Sequence, residues 1–295
     1  MARLDFRGRI VFGAAMSFHG QTGLIAARAM VFASVFLVAA VLAAENRGPL
    51  VIGDTFTMES KAVGETRRIN VYLPPGYTEA GEKRSPVLYM PDGGIAEDFL
   101  HVAGLVQVGV SNGTMRPFIL VGIENTERRR DMTGPTENAE DKKIAPRVGG
   151  SEAFRKFVRE ELMPEVKARY RTTDESAVVG ESLAGLWVTE TFLLAPDLFD
   201  TYIAFDPSLW WNNQHLVKVA GETLPKHGKL DKKLYVATSG EGTPELAQRL
   251  VDSLQKSVPV GIRVTYDKMP EERHATIYHP AALKAFRALF KPAER

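Results

Sequence analysis

Ser176-Ala177-Val178-Val179-Gly180-Glu181-Ser182-Leu183-Ala184-Gly185 is the stretch that decides the fold. Its first half is a continuous apolar run, as a strand buried on both faces requires. Gly180 and Ala184 are small and stand two residues either side of Ser182. A helical pattern toward Leu194 begins directly afterwards. Strand, sharp turn and helix in that order describe a nucleophile elbow, which strains the serine backbone and makes its Oγ project. Ala184 stands where the usual motif has a second glycine, and its side chain is still small. The helix N-terminus behind Ser182 offers free N–H groups to developing negative charge.

Outward from the elbow, strand-like and helix-like segments alternate. Arg68–Leu73, Pro86–Met90, Phe118–Ile123, Tyr202–Phe205, Leu234–Thr238 and Ile262–Tyr266 read as further strands. Helices are expected at Ser151–Arg169, from Ser182 toward Leu194, at about Pro244–Ser257 and at Pro280–Leu289. Ser151 is placed to cap the first of these, and Pro164 inside it should kink or restart it. The polar stretch Glu124–Val148 reads as a long loop near the site. The alternation predicts an α/β domain of the α/β-hydrolase class, with a mainly parallel sheet flanked by helices.

A serine hydroxyl needs a base. In this architecture the order along the chain is serine, acid, histidine. Of six histidines, His215, His227, His274 and His279 follow Ser182. His274 follows the last strand and a turn and precedes the final helix, where the base is expected. His279 sits at the helix start and is its rival. The acid should follow the strand Leu234–Thr238. Glu241 and Glu245 both do; Glu241 is favoured because it lies in the loop itself, whereas Glu245 in the next helix's first turn has a role in compensating the dipole. The oxyanion needs preorganised donors. The N–H of Leu183 is one candidate, and the loop Asp92-Gly93-Gly94 after an earlier strand offers another.

The 295 residues suit one large α/β domain, and 44% hydrophobic with 25% charged residues fits a sizeable core. A net charge of +1 gives no reason to expect nucleic acid or an anionic membrane as partner. The absence of cysteine excludes disulfides, thiolate nucleophiles and Cys-ligated metals. Near the N-terminus, Arg28 precedes the uncharged run Ala29–Ala44. At about 16 residues the run is short for a spanning helix, which needs about 20. Residues 1–44 therefore read as a signal peptide or export segment, with Met16 as the better start, and an uncleaved anchor is the alternative. Residues 45–295 then form the catalytic domain, exported to the periplasm or secreted, with no membrane role for the mature part.

The segments VYLPPGY, PVLYMPDGG, VGIENTERRRDMTGP, FRKFVREELMPEVKARYRT, VVGESLAGL, FDPSLWW and ERHATIY occur in this order. Together they resemble the putative-esterase family of α/β hydrolases, which includes esterase D-like S-formylglutathione hydrolases, antigen 85 acyltransferases and ferric-siderophore esterases. The likeness runs from about Arg68 to Leu289 and is nearest to the siderophore-esterase branch through RRRDMTGP and PSLWW. The resemblance implies that Ser182 is the nucleophile and His274 the base, with Gly94 and Leu183 forming the oxyanion hole. It also implies that Asp92 orients the neighbouring loop, that Trp210 and Trp211 stand near the cleft, and that Arg128, Arg130 and Asp131 form a charged loop near the site. An arginine there suits an anionic substrate such as a ferric catecholate. The expected activity is hydrolysis of a small-molecule ester through an acyl-serine, with no metal or organic cofactor. Acyl transfer of the antigen 85 type is the alternative, and a non-catalytic binding protein a remoter one.

Overall fold

In the computed structural model, residues 48–257 and 261–292 are described, so the export segment at 1–44 lies outside them. Eight strands form one sheet: β1 (Asp54–Ser60), β2 (Glu65–Tyr72), β3 (Ser85–Pro91), β4 (Ile119–Ile123), β5 (Thr172–Glu181), β6 (Thr201–Phe205), β7 (Lys233–Ser239) and β8 (Arg263–Met269). Their spatial order is β1-β2-β4-β3-β5-β6-β7-β8. β1 and β2 pair antiparallel, as do β2 and β4; every other pairing is parallel. This is the α/β-hydrolase arrangement expected from the alternating segments.

Both faces of the sheet are covered, so the central strands are apolar throughout. Along β3, Leu88 and Met90 pack on one face while Val87 and Tyr89 pack on the other. The Leu88 face is covered by α1 (Phe99–Ser111) and α7 (Tyr278–Leu289). The opposite face takes α2 (Ser151–Phe157), α3 (Met163–Arg169), α4 (Leu183–Leu194), α5 (Trp211–Thr223) and α6 (Pro244–Ser257). Among the described residues no helix is long and apolar enough to cross a membrane.

Several expectations change in detail. The single helix foreseen over Ser151–Arg169 is divided by a π-helical turn, Val158–Leu162, just before Pro164. Pro164 has no N–H to donate and cannot continue a regular ladder, so the register is reset at that point. Ser151 does not cap: Gly150 holds the cap position, and the Ser151 hydroxyl is buried without a partner. The stretch Glu124–Val148 is mostly loop, with one helical turn at Arg128–Asp131 and a 3₁₀ turn at Asp141–Lys143. Strand β1 and helices α1 and α5 had not been foreseen. In α5, Asn212, Asn213 and Gln214 are left-handed, with φ of 46°, 54° and 65°, so the regular helix begins after them.

Beside the sheet's antiparallel end lies a buried ionic network. Arg67 is paired with Asp131 and stacks over the rings of Phe154 and Phe157. Arg130 donates from Nη2 to Glu65 at 2.7 Å and from Nε to Asp131 at 2.6 Å. The Arg130 hydrogen bonds hold the Glu65 carboxyl down to about 2, overcoming the opposing effect of burial. A depressed carboxylate stabilises the fold above its unfolded pKa of 4.5, and the contribution is lost as pH falls through about 2. Glu65→Gln is therefore expected to destabilise the protein by up to about 3 kcal/mol at pH 7. In urea unfolding the two proteins should converge as the pH approaches 2; a gap that stays constant with pH would contradict this.

Candidate active site

The parallel strands end together at one edge of the sheet, and three residues there have strained backbones. Asp92 follows β3 with φ 57°, Ser182 follows β5 with φ 60°, and Asp206 follows β6 with φ 39°. Non-glycine residues at positive φ are uncommon, and such strain concentrates at functional sites. At the elbow, an added Cβ on Gly180 would lie 2.7 Å from the Ala184 Cβ. The Ala184 backbone carbonyl carbon is equally close at 2.7 Å, so Gly180 is required by the approach of the helix backbone as well as by the Ala184 side chain.

Ser182 Oγ lies 3.2 Å from His274 Nε2, and His274 Nδ1 lies 3.1 Å from Asp206 Oδ2. Ser239 fixes the Asp206 carboxylate, donating from its N–H at 2.7 Å and from its hydroxyl at 2.5 Å. Burial by itself would raise the Asp206 pKa, but hydrogen bonds from His274 and Ser239 overcome it and hold the carboxyl below its ordinary value. In return the bond to Asp206 raises the His274 pKa above 6.5. Chemically, the arrangement is a hydroxyl, an imidazole able to take its proton, and a buried anion able to orient the ring.

The carboxylate against the ring is therefore Asp206, not Glu241 or Glu245. Glu241 instead accepts the backbone N–H of His274 at 3.3 Å. Sheet order explains the difference. Glu181 of β5 is paired with Phe205 of β6, so Ser182 and Asp206 leave the sheet level with each other. β7 lies one strand further away. The signal was present in Phe205-Asp206-Pro207, an acid at the immediate end of a strand. His279 lies on α7 with its ring 5.5 Å from that of His101. His227 bonds the Leu193 carbonyl.

Leu183 opens α4, whose first N–H groups have no partner within the helix. Gly94 lies in the loop after β3, but its N–H donates to the Glu97 carboxylate at 2.6 Å. The loop is pressed close to β4: a Cβ on Gly93 would lie 2.2 Å from the Gly122 Cα. Asp92 is buried and accepts from Arg128 Nε at 2.6 Å, Arg128 Nη2 at 2.8 Å and Asn125 Nδ2 at 2.5 Å. It therefore braces the loop rather than facing a ligand. Asp92→Asn is expected to lower kcat by about tenfold to a hundredfold through a displaced loop. Ester turnover with far-UV circular dichroism as a folding control checks this; a folded variant of normal kcat would refute it.

A 340 Å³ cleft is lined by Ser182, Asp206, Ser208, Trp210, Glu241 and His274, among others. Trp210 is 41% exposed on its wall, whereas Trp211 is 4% exposed and donates its indole N–H to the Gly134 carbonyl. The aromatic pair is thus divided between cleft and core. Arg130 is committed: Nε, Nη1 and Nη2 all bond carboxylates, so it is part of the ionic network rather than a free ligand-binding group. A second cavity of 560 Å³ is lined by Arg128, Arg129, Arg130 and Arg147 together with Glu127. Arg128 links it to the Asp92 loop. Glu181, Asp206 and His274 also offer potential metal-ligand atoms within 4.8 Å of one another. A cation held there would occupy one ring nitrogen of His274, which would then be lost to the contact with Ser182 or with Asp206.

Residues 60–275 match the family described as "Putative esterase". The chain belongs to this family of esterases. It is 26% identical over 256 residues to the ferri-bacillibactin esterase BesA of Bacillus subtilis, covering 77% of this chain and 86% of the relative. The crystal structure of an IroE-like serine hydrolase from Shewanella oneidensis superposes with a TM-score of 0.72 at 30% identity, over 81% of this chain and 80% of that one. The siderophore hydrolase EstB of Aspergillus nidulans shares the fold, with a TM-score of 0.69 at 20% identity over 84% of this chain and 99% of its own.

Proposed function

We propose that the protein is a serine esterase that opens siderophore lactones through an acyl–Ser182 intermediate. The observation that carries the serine mechanism is the continuous relay from Ser182 Oγ through His274 to the buried Asp206, with contacts of 3.2 and 3.1 Å. His274 Nε2 takes the Ser182 proton as Oγ attacks the ester carbonyl. Asp206 holds the proton of Nδ1 and stabilises the imidazolium. The oxyanion is bound by the Leu183 N–H, and by that of Gly94 once the Glu97 carboxylate yields it. His274 then protonates the leaving alcohol, and the same base activates water to release the acid.

The siderophore part of the reading is supported by the relatives named for such substrates and by the arginine-lined cavity whose Arg128 binds Asp92 in the loop after β3. A ferric catecholate carries net negative charge; Arg128, Arg130 and Arg147 are paired with carboxylates, and Arg129, which donates to the neutral Ile144 carbonyl, is the arginine of that wall that suits it. Export is also proposed, on the strength of the charged and then apolar pattern that ends at Ala44.

Two assays test this reading. A fluorophosphonate should label the wild type, and Ser182→Ala should abolish labelling. A panel of p-nitrophenyl esters beside ferric and iron-free siderophore lactones should show preferred turnover of the lactones. An unlabelled wild type would overturn the serine mechanism. Turnover confined to simple esters would overturn the substrate, and acyl-ester product with an added alcohol would favour transfer.

A further inference from the structure

The residue before the nucleophile makes a contact that the relay does not use. Glu181 Oε1 lies 3.2 Å from His274 Nε2, the same distance as Ser182 Oγ. Nε2 carries one proton or one lone pair, so it cannot serve both partners at once. The Glu181 side chain is 15% exposed, and Oε1 is buried with no hydrogen-bond partner among the described residues. As the last residue of β5 it is held in place by its pairing with Phe205.

We propose that Glu181 is a positioning residue acting through His274: its carboxylate competes with Ser182 for Nε2 and holds the protonated ring in an ion pair, and that proton must leave before Ser182 can be activated. The inference rests on the serine-esterase reading. The charges around the pair come from several elements. Asp206 follows β6, Asp92 and Asp98 belong to the loop after β3, and Arg128 belongs to the helical turn. Glu241 faces the His274 backbone, and fully buried Tyr278 on α7 stays protonated. Arg128 is already bound to Asp92, and Asp206 and Asp92 repel Glu181. Among the described residues, His274 is therefore the group that can carry positive charge within contact distance of this carboxylate. Burial pushes the Glu181 pKa up to about 7, which agrees with a proton shared by the pair near neutrality. Below that range the pair keeps the proton and Ser182 Oγ–H has no acceptor. Above it the proton passes to solvent, and Nε2 is free to receive the Ser182 proton.

The test is the pH dependence of fluorophosphonate labelling and of ester turnover for wild type, Glu181→Gln and Glu181→Asp. Removing an adjacent opposite charge lowers a histidine pKa by about one unit or more. The acid limb of Glu181→Gln should therefore move down by at least about one pH unit. At one unit below the wild-type limb, that variant should label several-fold faster relative to its own plateau. Glu181→Asp, which keeps a carboxylate, should retain most of the wild-type limb. A folded Glu181→Gln with an unmoved limb overturns the proposal, whatever happens to its kcat. Should Glu181→Gln fail to fold, NMR titration of the His274 ring in the wild type decides: two coupled steps above 6.5 support it, and one step at or below 6.5 overturns it. A wild type unlabelled at every pH would sink the serine reading, yet the ring titration would still report on the Glu181 contact.

Discussion

Ser182→Ala should lower kcat by about 10⁵- to 10⁶-fold, with KM and thermal stability close to wild type. The size follows from the loss of a covalent step, because among the described residues no other hydroxyl bonds Nε2 in place of Oγ. Glu181, the other group at that nitrogen, is a carboxylate held back by burial. The substitution is mild for the fold, since alanine adds no bulk at the elbow. The φ of 60° remains strained for alanine, so any stability change should be small. Steady-state turnover of the best lactone or p-nitrophenyl ester, with a thermal melt, checks both parts. Residual activity above about one part in a thousand would move the chemistry to another residue.

Asp206→Asn is expected to cost about 10⁴-fold in kcat, whereas Glu241→Gln should stay within about tenfold of wild type. The amide would keep the shape of Asp206. However, its NH₂ would point a donor at Nδ1 or at Ser239, favouring the wrong tautomer of His274 and removing the anion that stabilises the imidazolium. Glu241 touches only the backbone of His274, so its loss should loosen the segment without altering the ring. The two variants also differ in pH behaviour. The bond to Asp206 raises the His274 pKa above 6.5, and activity needs the neutral ring. Activity therefore rises with pH through that raised value, and Asp206→Asn should bring its residual acid limb downward. Equal losses in the two variants, or a larger loss in Glu241→Gln, would reassign the acid.

Local patterns carried much of the reading. SAVVG followed by Glu181-Ser182 announced both the buried strand and its turn, because burial on two faces leaves a continuous apolar run. Helix α6 was equally plain, since Ala247, Leu250, Val251 and Leu254 recur on one face. Helix α1 was missed although Phe99, Val102, Ala103 and Val106 also follow the helical period. Its valines and glycines weaken helix propensity, and packing over β3 and β4 stabilises it instead. Strand β1 was missed because it lies at the sheet's edge and its residues are mostly exposed.

The α/β-hydrolase class, and Ser182 and His274 as candidates for nucleophile and base, followed from the sequence itself, because they depend on local periodicity, small neighbours and order along the chain. The partner of His274, the second claim of Glu181 on Nε2, the burial of Arg130 and the separate fates of Trp210 and Trp211 were decided by the tertiary structure. Each depends on which strand ends and loops stand side by side. That arrangement is set by pairing between residues far apart in the chain: β6 next to β5 carries Asp206 to the ring, and β7 one place further leaves Glu241 at the backbone.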